Sequence, residues 1–201
     1  MYAGSKISNL RSLTISNVVE IGDGPVNNYT LSGSCTGGTP ASRVFHSCSF
    51  DNSTLIWCLG GVTGSTTASL SNQLINFNTT SGCWSTSLPY ANISAHTLSY
   101  SSLNKSLIVF GGSSVAPNLT NSMYLTGNPT AGIFAYFSLL ANSWTNITIP
   151  SNGPSLARIH HSASIASNNL LYIYGGTSVS NGSVVYNDFW RYVKISYLFH
   201  Y

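Results

Sequence analysis

Three glycine doublets, Gly60-Gly61, Gly111-Gly112 and Gly175-Gly176, each close an apolar run of strand length. The runs are Leu55–Leu59, Leu107–Phe110 and Leu170–Tyr174. Before each run comes a turn, at Asp51–Thr54, Leu103–Lys105 and Ser167–Asn169, and before each turn a second short run rich in small residues. Two runs around such a turn predict a β-hairpin. In the third unit, ARIHHSASIASNNLLYIYGG, the second strand is apolar on both sides, so it should be covered on both faces. The glycines suit a backbone that leaves the strand at positive φ, or a point where another backbone comes close. No segment shows sustained helical periodicity, and the expected class is all-β.

The hairpins recur in register. His46, His96 and His161 head the first strands and stand 14, 15 and 14 residues before the first glycine. A third strand follows a loop, at Gln73–Asn78, Ile133–Phe137 and Tyr186–Tyr192. Its aromatic residue (Phe77, Phe137 or Tyr192) lies 17, 26 and 17 residues past the first glycine. Trp84 and Trp144 lie 7 residues beyond Phe77 and Phe137, on a fourth strand; Phe199 holds that place in the third unit. The doublets are 51 and 64 residues apart, the difference lying in a longer loop at 113–132. Four strands in about 50 residues is the size of one propeller blade.

In these residues the chain resembles the kelch-repeat family. Matching the family's repeat are Arg43/His46/Ser47, Arg158/His161/Ser162/Ala163, the three glycine pairs, Phe77 with Trp84, Phe137 with Trp144, and Asn187-Asp188 just before the third strand. The second unit departs, with Ile93 for the arginine and Thr97 for the serine, and the third lacks the tryptophan. The resemblance implies a kelch-type β-propeller with three four-stranded antiparallel blades, at about 41–92, 93–154 and 155–201. Residues 1–40 form a poorly defined segment or partial blade, with weak strands near Ser12–Ile21 and Asn28–Ser34. A closed ring needs at least about four blades. The expectation is therefore an incomplete ring: part of a longer protein, or one closed by self-association. The tail Val193–Tyr201 is either a fourth strand or out of place.

Charge and polarity narrow the partners. Only 5% of residues are charged, and the net charge of +3 comes from scattered side chains. A nucleic-acid surface needs clustered Lys and Arg, so no nucleic-acid partner is expected. No apolar run reaches the roughly 18 residues of a membrane span, and the first residues carry no signal-peptide pattern. Acceptor patterns for N-linked glycan occur at Asn28, Asn52, Asn78, Asn92, Asn104, Asn118, Asn146 and Asn181. Asn52 and Asn104 fall in hairpin turns, where a glycan is tolerated. With the scarcity of charge, this points to a secreted or cell-surface glycoprotein. Cys48 and Cys58 lie on the two strands of one hairpin and could be cross-strand neighbours, leaving Cys35 with Cys83; four free buried thiols are the alternative.

The search for chemistry finds no catalytic set and calls for no cofactor. The acids Glu20, Asp23, Asp51 and Asp188 form no converging pair, and no phosphate loop, nucleophile elbow or zinc helix is present. His46, His96 and His161 occupy equivalent repeat positions. They could ring a channel and hold a metal, but are better read as each bonding groups within its own blade. The expected function is a non-catalytic interaction module. It would contact protein or glycan through the loops Val62–Asn72, Ser113–Gly132 (with Met123, Tyr124 and Leu125) and Thr177–Val185. Two alternatives stand beside it. One is part of a copper-radical carbohydrate oxidase of the galactose-oxidase type, onto whose site no residue aligns. The other is a building block of an extracellular wall, coat or filament.

Overall fold

The computed structural model describes residues 40–64, 68–86, 88–115, 132–178 and 184–193, with Cys35 and the backbone of two short strands. Those strands, β1 (Asn17–Val19) and β2 (Asn28–Thr30), pair antiparallel. Asn118, Asn181, Phe199 and His200, the central part of the loop at 113–132, and the tail beyond Val193 lie outside the described residues.

The next strands are β3 (Arg43–Val44), β4 (Ser47–Phe50), β5 (Leu55–Leu59), β6 (Val62–Thr63), β7 (Ser69–Leu70), β8 (Leu74–Asn78) and β9 (Cys83–Thr86). Sheet β4-β5-β8-β9 is the first blade, and β3, β6 and β7 form a small sheet. The second blade is β10 (Ser94–Ser101), β11 (Ser106–Ser113), β12 (Ile133–Ser138) and β13 (Ser143–Asn146), in that order. In the last third, β14 (Arg158–Ile159) pairs with β17 (Thr177–Ser178). The third blade is β15 (Ser162–Ile165), β16 (Leu171–Tyr174) and β18 (Phe189–Tyr192), three strands among the described residues. Its last strand begins later than the sequence suggests, because Tyr186 and Asp188 turn aside to hold Arg158.

The register is the same in all three blades. His46, His96 and His161 stand level with Gly60, Gly111 and Gly175. The extra residue in the second hairpin is absorbed by its turn. Aromatic pairs Phe77–Trp84 and Phe137–Trp144 are direct cross-strand neighbours, with centroids 5.0 and 5.1 Å apart. Such contacts stabilise the outer strands, which bury little else.

Two apolar layers join the blades. Between the first and second lie Trp57, Leu59, Leu74, Leu98, Leu107, Val109, Ala135 and Phe137. Between the second and third lie Ile108, Phe110, Phe134, Tyr136, Leu171 and Ile173. Strand β11 thus sends alternate residues to both layers and is buried along its whole length. The expected burial of both faces also holds for β5, but not for β16: Leu171 and Ile173 are buried, yet Tyr174 is 54% exposed.

The structure joins Cys48 to Cys58, which are direct cross-strand partners, and Cys35 to Cys83. The second bond ties the segment before the first blade onto its outer strand. All four cysteines are thereby used.

One strained position recurs. Phe45, Ala95 and His160, each just before the repeat histidine, have φ of 57°, 54° and 56°. At Phe45 and His160 this left-handed step swings the chain from a short strand (β3, β14) into the blade, and at Ala95 it lies inside β10; it costs about 1–2 kcal/mol for a residue with a Cβ. Ala95→Gly should remove that cost, less the added entropy of an unfolded glycine. A net stabilisation of about 0.5–1 kcal/mol is expected from urea denaturation. A loss of stability would show that the Cβ packing outweighs the strain.

Candidate functional site

The repeat residues come together at the seams between blades. The imidazoles of His96 and His161 cross to the preceding blade. A Cβ placed on Gly111 would sit 2.5 Å from His161 Cε1 and 2.7 Å from the Arg158 carbonyl; one on Gly60 would sit 3.1 Å from His96 Cε1. The second glycine receives the histidine of its own blade: a Cβ on Gly112 would meet His96 Cβ at 2.8 Å, and one on Gly176 would meet His161 Cβ at 2.8 Å. Both glycines of each doublet have positive φ. All six glycines are required by conformation, and all but Gly175 also by close approach.

Hydrogen bonds follow the same route. His161 Nε2 lies 3.0 Å from Thr97 Oγ1 of the second blade. The reading that each histidine bonds within its own blade is thus corrected. The ring is drawn across because the glycine leaves room there, and the hydroxyl of the neighbouring inner strand lies beside it. The Leu98 amide donates to Ser47 Oγ at 2.9 Å, Gly61 N–H to the Ile93 carbonyl at 2.8 Å, and Ser99 Oγ to the Ala163 carbonyl at 3.4 Å. Neither ring nitrogen of His96 has a hydrogen-bond partner among the described residues.

Burial and the nearby His161 and His46 depress the His96 pKa to about 3; burial and Arg158 depress that of His161 to about 4. Both imidazoles are neutral at pH 7. Among the described residues no three His, Cys, Asp or Glu side chains form a group that could hold a metal ion. His96 and His161 lie at two successive seams.

Arg158 is fully buried. Its Nη1 donates to the Gly175 carbonyl at 2.9 Å and to Asp188 Oδ1, and its Nη2 donates to Asp188 Oδ2 at 2.7 Å. Its guanidinium lies 4.1 Å from the centre of the Tyr186 ring. Trp190 Nε1 also donates to Asp188. The Arg158 hydrogen bonds, with that from Trp190, hold the Asp188 pKa at about 2 against burial. In the first blade Arg43 reaches Gly60 O at 3.1 Å and Gln73 Oε1 at 3.0 Å, so Gln73 replaces the acid. In the second blade the two positions are Ile93 and Ile133, and both join the apolar layer. Sequence reasoning named Arg158 and Asp188 but not their pairing; the Arg43–Gln73 counterpart carried no signal, since glutamine is not the expected acid.

Asp51 is a turn residue. Burial raises its pKa, but bonds from Ser53 N and Oγ, Leu55 N and Trp57 Nε1 outweigh that and lower it. Asn78 Oδ1 caps its turn by accepting from the Thr80 and Ser81 amides, and Asn146 accepts from the Tyr90 hydroxyl. Asn52, Asn92 and Asn146 are exposed.

All three loops after the doublets leave from the edge that carries Arg43, Arg158 and the histidines; the hairpin turns lie at the opposite edge. The family model of the KLHDC2/KLHL20/DRC7 Kelch-repeats domain matches residues 25–196. The chain belongs to the kelch-repeat family. The comparison with curated proteins returned no match. A kelch-repeat domain suggests a protein-interaction module. No helix among the described residues is long and apolar enough to cross a membrane.

Proposed function

We propose that this kelch arc is a non-catalytic interaction module of a secreted or cell-surface glycoprotein, contacting protein or glycan through the loops after its glycine doublets. The observation that carries the reading is geometric: three segments leave one edge of the blades, each after a glycine doublet at positive φ, the first and third carrying the short strands β6, β7 and β17. Rigid scaffolds with variable loops are the usual arrangement for recognition. The two disulfides support an oxidising compartment. Glycans at Asn52 or Asn104 would project from the edge opposite the contact loops. The copper-radical alternative loses its Tyr–Cys crosslink, because every cysteine is disulfide-bonded.

The test is expression of the whole chain through a secretory host. The expected product is exported, resists thiol alkylation until reduced, and loses mass on treatment with an N-glycosidase. Retained, alkylatable and unglycosylated protein would overturn the compartment. Labelled protein is then screened on glycan arrays and on cell surfaces. Replacing residues 116–131 with a short Gly-Ser link should abolish capture without moving the urea midpoint; capture that survives in this variant would show that the long loop is not a contact.

A further inference from the structure

We propose that Asn146 carries an N-linked glycan whose first sugar packs against Tyr90 and shields the open outer edge of the second blade. The proposal rests on the reading of the chain as a glycoprotein, and it singles out one acceptor and the role of its sugar. Five of the acceptor asparagines have described side chains. Asn52 and Asn104 lie in hairpin turns, Asn78 ends the third strand of the first blade, and Asn92 lies in the connector to the second. Of these five, Asn146 alone stands on an outer strand. That strand, β13, pairs only with β12 among the described residues.

The neighbours of Asn146 prepare it for a sugar. Trp144 and Asn146 are two apart on β13, so both side chains leave the same face of the strand. Tyr90, from the connector, stacks on Trp144 with ring centroids 4.2 Å apart and an interplanar angle of 17°. Its hydroxyl donates to Asn146 Oδ1, and Trp144 Nε1 donates to the Leu88 carbonyl at 3.3 Å. Glycosylation leaves Oδ1 in place. The bond from Tyr90 therefore orients the amide through one atom while the other, Nδ2, takes the sugar. Asn146 is exposed and Tyr90 is half-buried. The C–H face of a pyranose suits the negative face of an aromatic ring. The hydroxyl of the acceptor pattern, which the transferring enzyme reads, is accessible as well: Thr148 is exposed. Ser94 and Ser106, which complete the patterns at Asn92 and Asn104, are 0% and 2% exposed.

The edge supplies the role. An outer strand offers unpaired N–H and C=O groups to any other strand, and charged side chains are a common guard. Strand β13, with the sequence SWTN, carries no charge. The outer strand of the first blade, β9, is instead tied to the preceding segment by the Cys35–Cys83 bond. A bulky, hydrated sugar on Asn146 gives β13 the guard that its side chains lack. Its attachment is a displacement at sugar C1. The bond from C1 to Asn146 Nδ2 forms, and the C1–O bond to the pyrophosphate of a lipid-linked oligosaccharide breaks. The pyrophosphate leaves as the anion, and the Nδ2 proton passes to a base of the transferring enzyme.

The test uses the whole chain from a secretory host. Release by an N-glycosidase in heavy-oxygen water marks each occupied asparagine as a labelled aspartate, which peptide mass spectrometry reads. Asn146 should be marked. The variant T148A removes this acceptor and keeps the bond from Tyr90. Hydroxyl-radical footprinting should find Tyr90 about fivefold less reactive in the glycosylated chain than in T148A. Light scattering at rising concentration should show T148A assembling, while T54A, which removes the acceptor at Asn52 in a turn, stays as the unaltered chain. Should T148A not fold, the folded chain stripped by the N-glycosidase takes its place. An unmarked Asn146 beside another marked acceptor overturns the proposal and leaves the glycoprotein reading standing; no mark at any acceptor overturns both. Tyr90 equally reactive with and without the sugar, or T148A assembling no more than T54A, also overturns it.

Discussion

Asp188→Asn should lower the stability of the kelch arc by about 3 kcal/mol, because it leaves a fully buried guanidinium with no counter-charge. Arg158→Met should cost less, since the stranded Asp188 side chain is 32% exposed and keeps its bond from Trp190. The second blade suggests what rescues the pair. It places Ile93 and Ile133 at these two positions and folds in the same register. R158I/D188I should therefore recover most of the loss, as buried ion pairs exchanged whole for apolar side chains often do. A double-mutant cycle by urea denaturation reads the coupling, expected at about 2 kcal/mol or more for a close buried pair. Additive single effects would show that the contact with Tyr186 and the Gly175 carbonyl, rather than the charge pair, fixes Arg158.

The same comparison shows which features a sequence carries openly. The inner hairpins were legible because three signals agree there: a turn, an apolar run and a glycine doublet. The Phe–Trp spacing fixed the outer strands, since 7 residues around a tight turn bring two aromatics level. The doublets could be read as places of close approach, but not what approaches. Only the packed blades reveal that the intruder is the next histidine. The Arg43–Gln73 clamp was hidden for a related reason. Its partner type is not constrained by period or polarity, only by distance across a loop. The exposure of Tyr174 and Phe189 was illegible too, because local patterning says that a face is apolar and nothing about whether a neighbour covers it.

Acid should weaken this protein well before Asp188 titrates. His96 and His161 are held neutral, with pKa values pushed down from 6.5 to about 3 and about 4 by burial and neighbouring positive charge. An unfolded chain protonates both near 6.5, so below that pH it binds more protons than the folded one. The sign follows directly. Stability is full above about pH 6.5 and falls as the pH is lowered toward the folded values. With two groups the slope approaches about 2.7 kcal/mol per pH unit around pH 5, and the loss reaches roughly 6 kcal/mol by pH 4, enough to exhaust a stability at the lower end of the usual range of about 5–15 kcal/mol. Asp188, with its pKa near 2, adds to the loss only at lower pH. Urea midpoints at pH 7, 6, 5 and 4 check the slope. His161→Asn should lower the pH 7 value, through the lost seam contact with Thr97, and at the same time make the remaining pH dependence about half as steep. Stability that stays level down to pH 4.5 would mean that the seam opens enough to solvate the imidazoles, and the histidine packing between blades would have to be abandoned.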